Sequence, residues 1–234
     1  AAMHHGAGGL GITLSQNQLA EARQRFARLG PGAHVEALAA DYGTVRAEVR
    51  FDKGASGGMM EHVGRRRLDE YFGAVHRLLR PGGLFLNHAI ADASGVQTVP
   101  WTSRKDGGFI DGYNFPDGDL VPVAVVVAAA ERAGFEVRDL ESLREHYAET
   151  LAAWLGRLEA RFGEAETLVG RARARSYRLY LASSAAAFRL GRISVFQLLL
   201  AKRTAAGRAE GLPRNRADWY RAAPSAREGR PAAR

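Results

Sequence analysis

The sequence predicts an α/β fold: an open sheet covered by helices, with a helical insertion of nearly fifty residues ahead of its last strand. Three observations lead there. Strand and helix signals alternate from Leu14 to Ile90 with short turns between them, the order expected of a parallel sheet with helical crossovers. The run from Leu143 to Leu190 is then nearly all helical. The apolar stretch Ile193 to Leu200 follows it as a final strand.

Each element has its own signal. Leu14–Leu29 is amphipathic, with Leu19, Ala22, Phe26 and Leu29 recurring at three and four residues. Ser15 is its expected N-cap, and Gly30-Pro31-Gly32 ends it. His34–Leu38 is a short strand, and Phe51–Gly58 is a glycine-rich stretch leading to Met59-Met60-Glu61-His62. Arg65–Leu79 places Leu68, Tyr71, Phe72, Val75, Leu78 and Leu79 on one helical side and stops at Arg80-Pro81-Gly82-Gly83. Leu84–Ile90 is a buried strand, and the polar loop after it, up to Gly108, is too long for a plain connector. Pro122–Ala133 reads as a helix and Phe135–Leu140 as a strand.

The composition is that of an ordinary globular domain. Cysteine is absent, which removes disulfides, thiolate metal sites and a cysteine nucleophile together. No stretch approaches the roughly 20 apolar residues that span a bilayer. The opening Ala1-Ala2-Met3-His4-His5-Gly6 lacks the pattern of a secretory signal and reads as the boundary of a longer sequence. Of the formal charge of +8, most sits in Lys202–Arg234, where nine Lys/Arg face three Asp/Glu. Such a tail can hold anionic lipid headgroups or nucleic acid, or extend freely into solvent. The aromatic-plus-basic pattern of an RNA-binding surface does not accompany it.

Three side chains stand where chemistry is expected in such a sheet, beyond the carboxyl ends of the strands. Glu61 follows a glycine-flanked strand end, and His88 lies in the strand Leu84–Ile90. Tyr147 lies beside Arg144, Glu145 and His146. Read singly, Glu61 is also a helix-starting acid, His88 a core histidine and Tyr147 a surface tyrosine. Together an acid, an imidazole and a phenol can hold a small anion or move a proton. The seven histidines show no HExxH pair, and no GxSxG elbow is present, so neither a zinc site nor a serine hydrolase is expected.

Six ordered segments resemble the cyclopropane-fatty-acyl-phospholipid and mycolic acid cyclopropane synthases: Gly11–Gln18, Gly58–Gly64, Phe85–Ile90, Phe109–Pro116, His146–Trp154 and Ala187–Ser194. The likeness covers roughly residues 8 to 202. It implies a Rossmann-like class I methyltransferase sheet with a lipid-binding helical insertion at about 143–190; the composition of 203–234, rich in Arg, Ala, Gly and Pro, predicts a basic, disordered tail. It implies S-adenosylmethionine as cofactor and unsaturated phospholipid acyl chains as substrate. In the family the alkene attacks the sulfonium methyl, and the resulting cation loses a proton to a bound bicarbonate ion. By motif match the bicarbonate would be held by Glu61, His88, the Ile90 backbone and Tyr147. The cofactor residues would be Gly6, Gly8, Thr13, Leu14, Ser15, Gln18, Asp41, Tyr42 and Ser56.

The resemblance further implies a cytoplasmic protein in peripheral contact with the anionic inner face of the membrane, without nucleic acid as partner, and a homodimer is one admissible assembly. Departures from the family pattern are local. The glycine-rich loop, with the strand before it and the helix after it, is missing ahead of Gly11, and an upstream tyrosine-serine-cysteine motif is missing too. Met60 replaces a phenylalanine, and Ser184 stands where many relatives have cysteine. Three readings follow: an active lipid methyltransferase, a remnant that binds lipid without methylating it, and a nucleic-acid binder acting through the tail.

Overall fold

In the computed structural model, residues 2–30, 32–45, 50–93, 119–207, 212–213 and 215–220 are described. The segment Phe109–Pro116, most of the polar loop after Ile90 and the last part of the tail lie outside them. In chain order the elements are α1 (Ala2–His5), β1 (Gly9–Thr13), α2 (Gln16–Ala27), β2 (Val35–Ala39), β3 (Phe51–Gly57), α3 (Met60–Val63), α4 (Leu68–Leu78) and β4 (Leu79–Asp92). There follow α5 (Val123–Arg132), β5 (Phe135–Ser142), α6 (Arg144–Ala160), α7 (Phe162–Val169), α8 (Arg171–Arg189) and β6 (Ile193–Lys202).

The local signals were good guides to the element order. Ser15 caps α2, its side chain accepting from the Gln18 N–H. The helix expected over Arg65–Leu79 begins as a 3-10 turn, Arg65–Arg67, before α4 proper. The last strand is the most apolar because it is interior: β6 lies between β4 and β5 in the order β3-β4-β6-β5.

Two features depart from the single open parallel sheet expected. β3 and β4 are parallel, but β6 runs antiparallel to both of its neighbours. The crossover through α4 travels the length of the sheet once, which returns the chain for a parallel strand. The insertion leaves the end of β5 and re-enters at that same end, with Ser142 opposite Phe196 and the Leu143 N–H bonded to the Val195 carbonyl, so β6 must run back. Secondly, β1 and β2 form a separate parallel pair. Among the described residues, one edge of β1 and one edge of β3 therefore lack a ladder partner.

Two apolar clusters cover the larger sheet. One packs Tyr71, Phe72, Leu79, Phe85, Val126, Phe135, Leu198 and Leu200 beneath α4 and α5. The other packs Leu151, Leu181, Phe188, Ile193 and Val195 beneath α6 and α8, with Ile90, Tyr147 and Tyr180 at its margin. The tail is not wholly free of the domain. Arg216 forks onto Asp139 of β5 through two hydrogen bonds of 2.6 Å, which covers part of that edge strand.

Candidate active site

The motif Gly58–Gly64 is built around two backbone positions. Gly58 (φ 71°) and Gly64 (φ 73°) bracket the single turn α3 in the left-handed region that an L side chain disfavours. A Cβ at Gly64 would also come within 3.2 Å of the Asp119 carboxylate. Asp119 fastens the turn from outside: its N–H donates to the Glu61 carbonyl at 2.9 Å, and its carboxylate accepts from the Arg65 N–H at 2.8 Å. From inside, the Tyr71 hydroxyl donates to Asn87 at 2.9 Å, and the Asn87 amide reaches the Met60 sulfur at 3.4 Å.

That scaffold points Glu61 inward, where only 7% of it is exposed. Its Oε1 accepts the Ile90 N–H at 2.8 Å, and among the described residues its Oε2 is buried without a hydrogen-bond partner. Burial pushes the carboxyl up from its usual 4.5; the Ile90 hydrogen bond and nearby His62 and His88 pull against it. His88 shares a β4 face with Ile90, two residues on, and its Nδ1 lies 3.2 Å from the Gln197 amide. Tyr147 is half-buried against Phe188, with ring centroids 5.0 Å apart. Burial raises its hydroxyl pKa, and the Glu61 charge raises it further. Glu61, His88, Ile90 and Tyr147, separated by up to 86 positions in sequence, thus converge at the carboxyl end of β4.

The raised Glu61 carboxyl has a consequence for stability. The folded protein holds this proton more tightly than the unfolded chain does. Its contribution is therefore fully present below pH 4.5 and is lost as pH rises through the higher folded-state value. Glu61→Gln keeps an oxygen for the Ile90 N–H and removes the titration. Its urea midpoint should gain on that of the parent protein between pH 5 and pH 8, and parallel profiles would show that burial does not control this group.

The residues expected at a cofactor divide into two groups. Thr13 ends β1 and Leu14, Ser15 and Gln18 follow it, Asp41 and Tyr42 follow β2, and Ser56 is the last residue but one of β3. Thr13 donates its hydroxyl to Gln18 at 2.7 Å, and the Asp41 carboxylate closes a turn on the Gly43 N–H at 2.8 Å. Gly6 and Gly8 are elsewhere. They precede β1, about 15 Å of strand away from Thr13, and do not join this group. Gly8 has a packing reason to lack a side chain, since a Cβ there would lie 3.3 Å from the His34 carbonyl. Tyr42 also differs from a cofactor-facing ring: it packs edge-on to Tyr71 at 5.3 Å in the core, with the Arg67 guanidinium 5.7 Å from its ring centroid.

Sequence reasoning passed over three residues. Asn87 lies inside the segment Phe85–Ile90 but was not singled out, and Asp119 carries no motif of its own. Gln197 had a visible signal, a polar side chain inside the apolar run Ile193–Leu200.

The polar residues at the carboxyl ends of β1, β2 and β3 suit a nucleoside and amino-acid cofactor such as S-adenosylmethionine, and glycines at 57 and 58 leave open space beside them. The orphaned Glu61 oxygen suits a small anion. A carboxyl that keeps its proton donates to that anion instead of repelling it.

Comparison with known proteins supplies the family and the cofactor class. The sequence profile of the family described as "Mycolic acid cyclopropane synthetase" matches residues 1–198. The chain is 42% identical to a Pseudomonas putida protein named "Probable fatty acid methyltransferase" over 221 residues, covering 94% of this chain and 55% of that protein. It is 31% identical to the cyclopropane-fatty-acyl-phospholipid synthase of Escherichia coli K12, covering 82% of this chain and 47% of that enzyme. Among solved structures, mycolic acid cyclopropane synthase CmaA1 complexed with S-adenosylhomocysteine and CTAB superposes with a TM-score of 0.76 at 32% identity, covering 83% of this chain and 70% of that one. The fold is that of a class I methyltransferase. The chain spans about half the length of several curated relatives it matches.

Proposed function

We propose, for a chain that belongs to the mycolic acid cyclopropane synthetase family, methyl transfer to the cis double bond of an unsaturated fatty acyl chain of a phospholipid, giving a cyclopropane or methyl-branched chain. The family comprises S-adenosylmethionine-dependent transferases acting on fatty acyl chains. One observation carries the finer reading: a buried carboxyl, electrostatically coupled to His88 and Tyr147, with one oxygen tied to the Ile90 N–H and the other without a partner among the described residues.

S-adenosylmethionine, when bound, supplies the electrophilic methyl group, and bicarbonate, when bound, supplies a base of small size. The chain's own residues do the rest. Thr13, Ser15, Gln18, Asp41 and Ser56 offer the cofactor hydroxyl, amide and carboxylate partners. Burial favours the protonated form of Glu61, which would donate from Oε2 to a bound anion, and the Ile90 N–H fixes the carboxyl in place. Tyr147 offers a phenol that keeps its proton, because burial disfavours the phenolate. An alkene is a weak nucleophile, and water would trap its cation as an alcohol, so alignment and dryness matter more than a strong side-chain base. Phe188, Tyr147 and Tyr180 supply that dryness from the insertion.

One observation favours a second reading, a family member that binds lipid without methylating it. Thr13, Ser15, Gln18 and Asp41 are carried on or beside the separate β1–β2 pair, not on the sheet that holds Glu61 and His88. Titration calorimetry with S-adenosylhomocysteine separates the two readings. Binding should be measurable, and at a hundred times Kd it should stabilise the fold by about 2.7 kcal/mol. Methyl incorporation into phospholipid vesicles should follow. A folded protein with no heat of binding and no thermal shift would leave only the second reading.

A further inference from the structure

The insertion ends in a tip that the core does not use. α7, the short helix between α6 and α8, buries none of its residues. Leu168 is 82% exposed and Val169 47% exposed, side by side at its end. Gly170 (φ 81°) then turns the chain into α8, which opens Arg171-Ala172-Arg173-Ala174-Arg175-Ser176-Tyr177-Arg178. Between Arg161 and Arg178 there are five arginines and two glutamates. Arg161 pairs with Glu164, Arg171 lies 3.6 Å from Glu166, and Arg178 sits over the Phe162 ring at 4.9 Å. Arg173 and Arg175 are exposed and make no ion pair among the described residues.

Two exposed aliphatic side chains, a few residues along the chain from two exposed guanidinium groups without an ion pair among the described residues, match the make-up of a lipid interface. Apolar tips enter the acyl boundary, while arginines bind phosphate oxygens above it. A soluble acidic surface would satisfy the arginines but would give Leu168 and Val169 no apolar phase. The same hairpin carries Tyr177 and Tyr180, with ring centroids 5.7 Å apart, toward Tyr147 of the site. Gly170 and Tyr180 are separated by about 15 Å of helix rise.

We propose that the α7 tip, through Leu168, Val169, Arg173 and Arg175, docks the protein onto a bilayer containing anionic phospholipid and so brings acyl chains to the aromatic side of the hairpin. The inference rests on the acyl-lipid reading of the site given above. It concerns a surface distinct from the basic tail.

The test is co-sedimentation of the full chain with vesicles of phosphatidylglycerol and phosphatidylcholine, against pure phosphatidylcholine, with S-adenosylhomocysteine titrated into the same preparations. The parent protein should prefer the anionic vesicles. Leu168→Ser with Val169→Ser should weaken that partitioning about tenfold. Arg173→Gln with Arg175→Gln should weaken it about five-fold per charge. Both pairs are exposed, so thermal midpoint and S-adenosylhomocysteine affinity should stay unchanged. A tail variant with Arg221, Arg227, Arg230 and Arg234 changed to Gln should keep at least half of the binding.

The proposal is overturned if the parent protein ignores anionic vesicles, or if both tip variants bind normally while the tail variant does not. It is also overturned if polyglutamate binds as tightly as vesicles and the Leu168/Val169 change has no effect, which would assign the tip to an acidic protein. Loss of docking with intact S-adenosylhomocysteine binding leaves the reading of the site standing. Intact docking without S-adenosylhomocysteine binding sinks that reading and not this one.

Discussion

Glu61→Gln is expected to lower kcat for phospholipid methylation by roughly a hundred- to ten-thousand-fold, the usual range for loss of a positioned acid or base. The variant should fold and should bind S-adenosylhomocysteine as the parent protein does. Glutamine matches the carboxyl in shape and retains an oxygen for the Ile90 N–H, so the β4 backbone keeps its partner. What changes is the group at the Oε2 position. A carboxyl with a raised pKa can donate one proton from there and can also give it up. An amide can donate but cannot exchange its proton with a bound anion. Single-turnover methylation with matched cofactor occupancy is the measurement. A variant within threefold of the parent rate would remove Glu61 from the chemistry, and with it the reason for an orphaned oxygen in so buried a place.

The second large effect concerns stability. Phe72→Ala should destabilise the fold by about 3–5 kcal/mol, a substantial share of the 5–15 kcal/mol that typically separates folded from unfolded domains. Phe72 is fully buried on α4, with ring centroids 5.0 Å from Tyr71 and 6.4 Å from Phe135. Truncation removes the contacts that seat α4 in the cluster with Phe85 of β4 and Phe135 of β5. The surrounding aromatic rings are too rigid to refill the space fully. Since Tyr71 holds Asn87, and Asn87 reaches Met60 beside Glu61, the loss should propagate to the site. Urea unfolding should show a lower midpoint at unchanged slope. A loss under 1 kcal/mol would mean that this cluster collapses around the cavity.

Much of the fold was legible because its signals are local. The three- and four-residue spacing of Leu19, Ala22, Phe26 and Leu29 and the Ser15 cap predicted α2 within a few residues. The apolar run at Ile193–Leu200 predicted a buried strand, because only an interior strand can be apolar on both faces. The direction of β6 was not legible. It depends on where the helical hairpin returns, and no residue in β6 encodes that. The parting of β1–β2 from the other four strands was equally hidden, since ladder pairing is decided by which edges meet in space.

The site divides in the same manner. Glu61, His88 and Tyr147 could be singled out by residue type and by position at strand ends or on a helix. That Gly6 and Gly8 stand at the amino end of β1, away from Thr13, follows from where the strand begins. That Tyr42 faces the core follows from Tyr71, a residue 29 positions away.

By itself, then, the sequence determined most of the order of strands and helices from Leu14 onward, the capped and glycine-bracketed turns, and which residue types were available for proton chemistry. All of these rest on interactions within a few residues of chain. Tertiary structure decided the state of those groups. It removed water from Glu61, gave one of its oxygens to Ile90 and left the other without a partner. It also set His88 against Gln197 across 109 positions. Desolvation and hydrogen-bond pairing are set by whatever surrounds a group in space, so they come into being only when distant segments pack together.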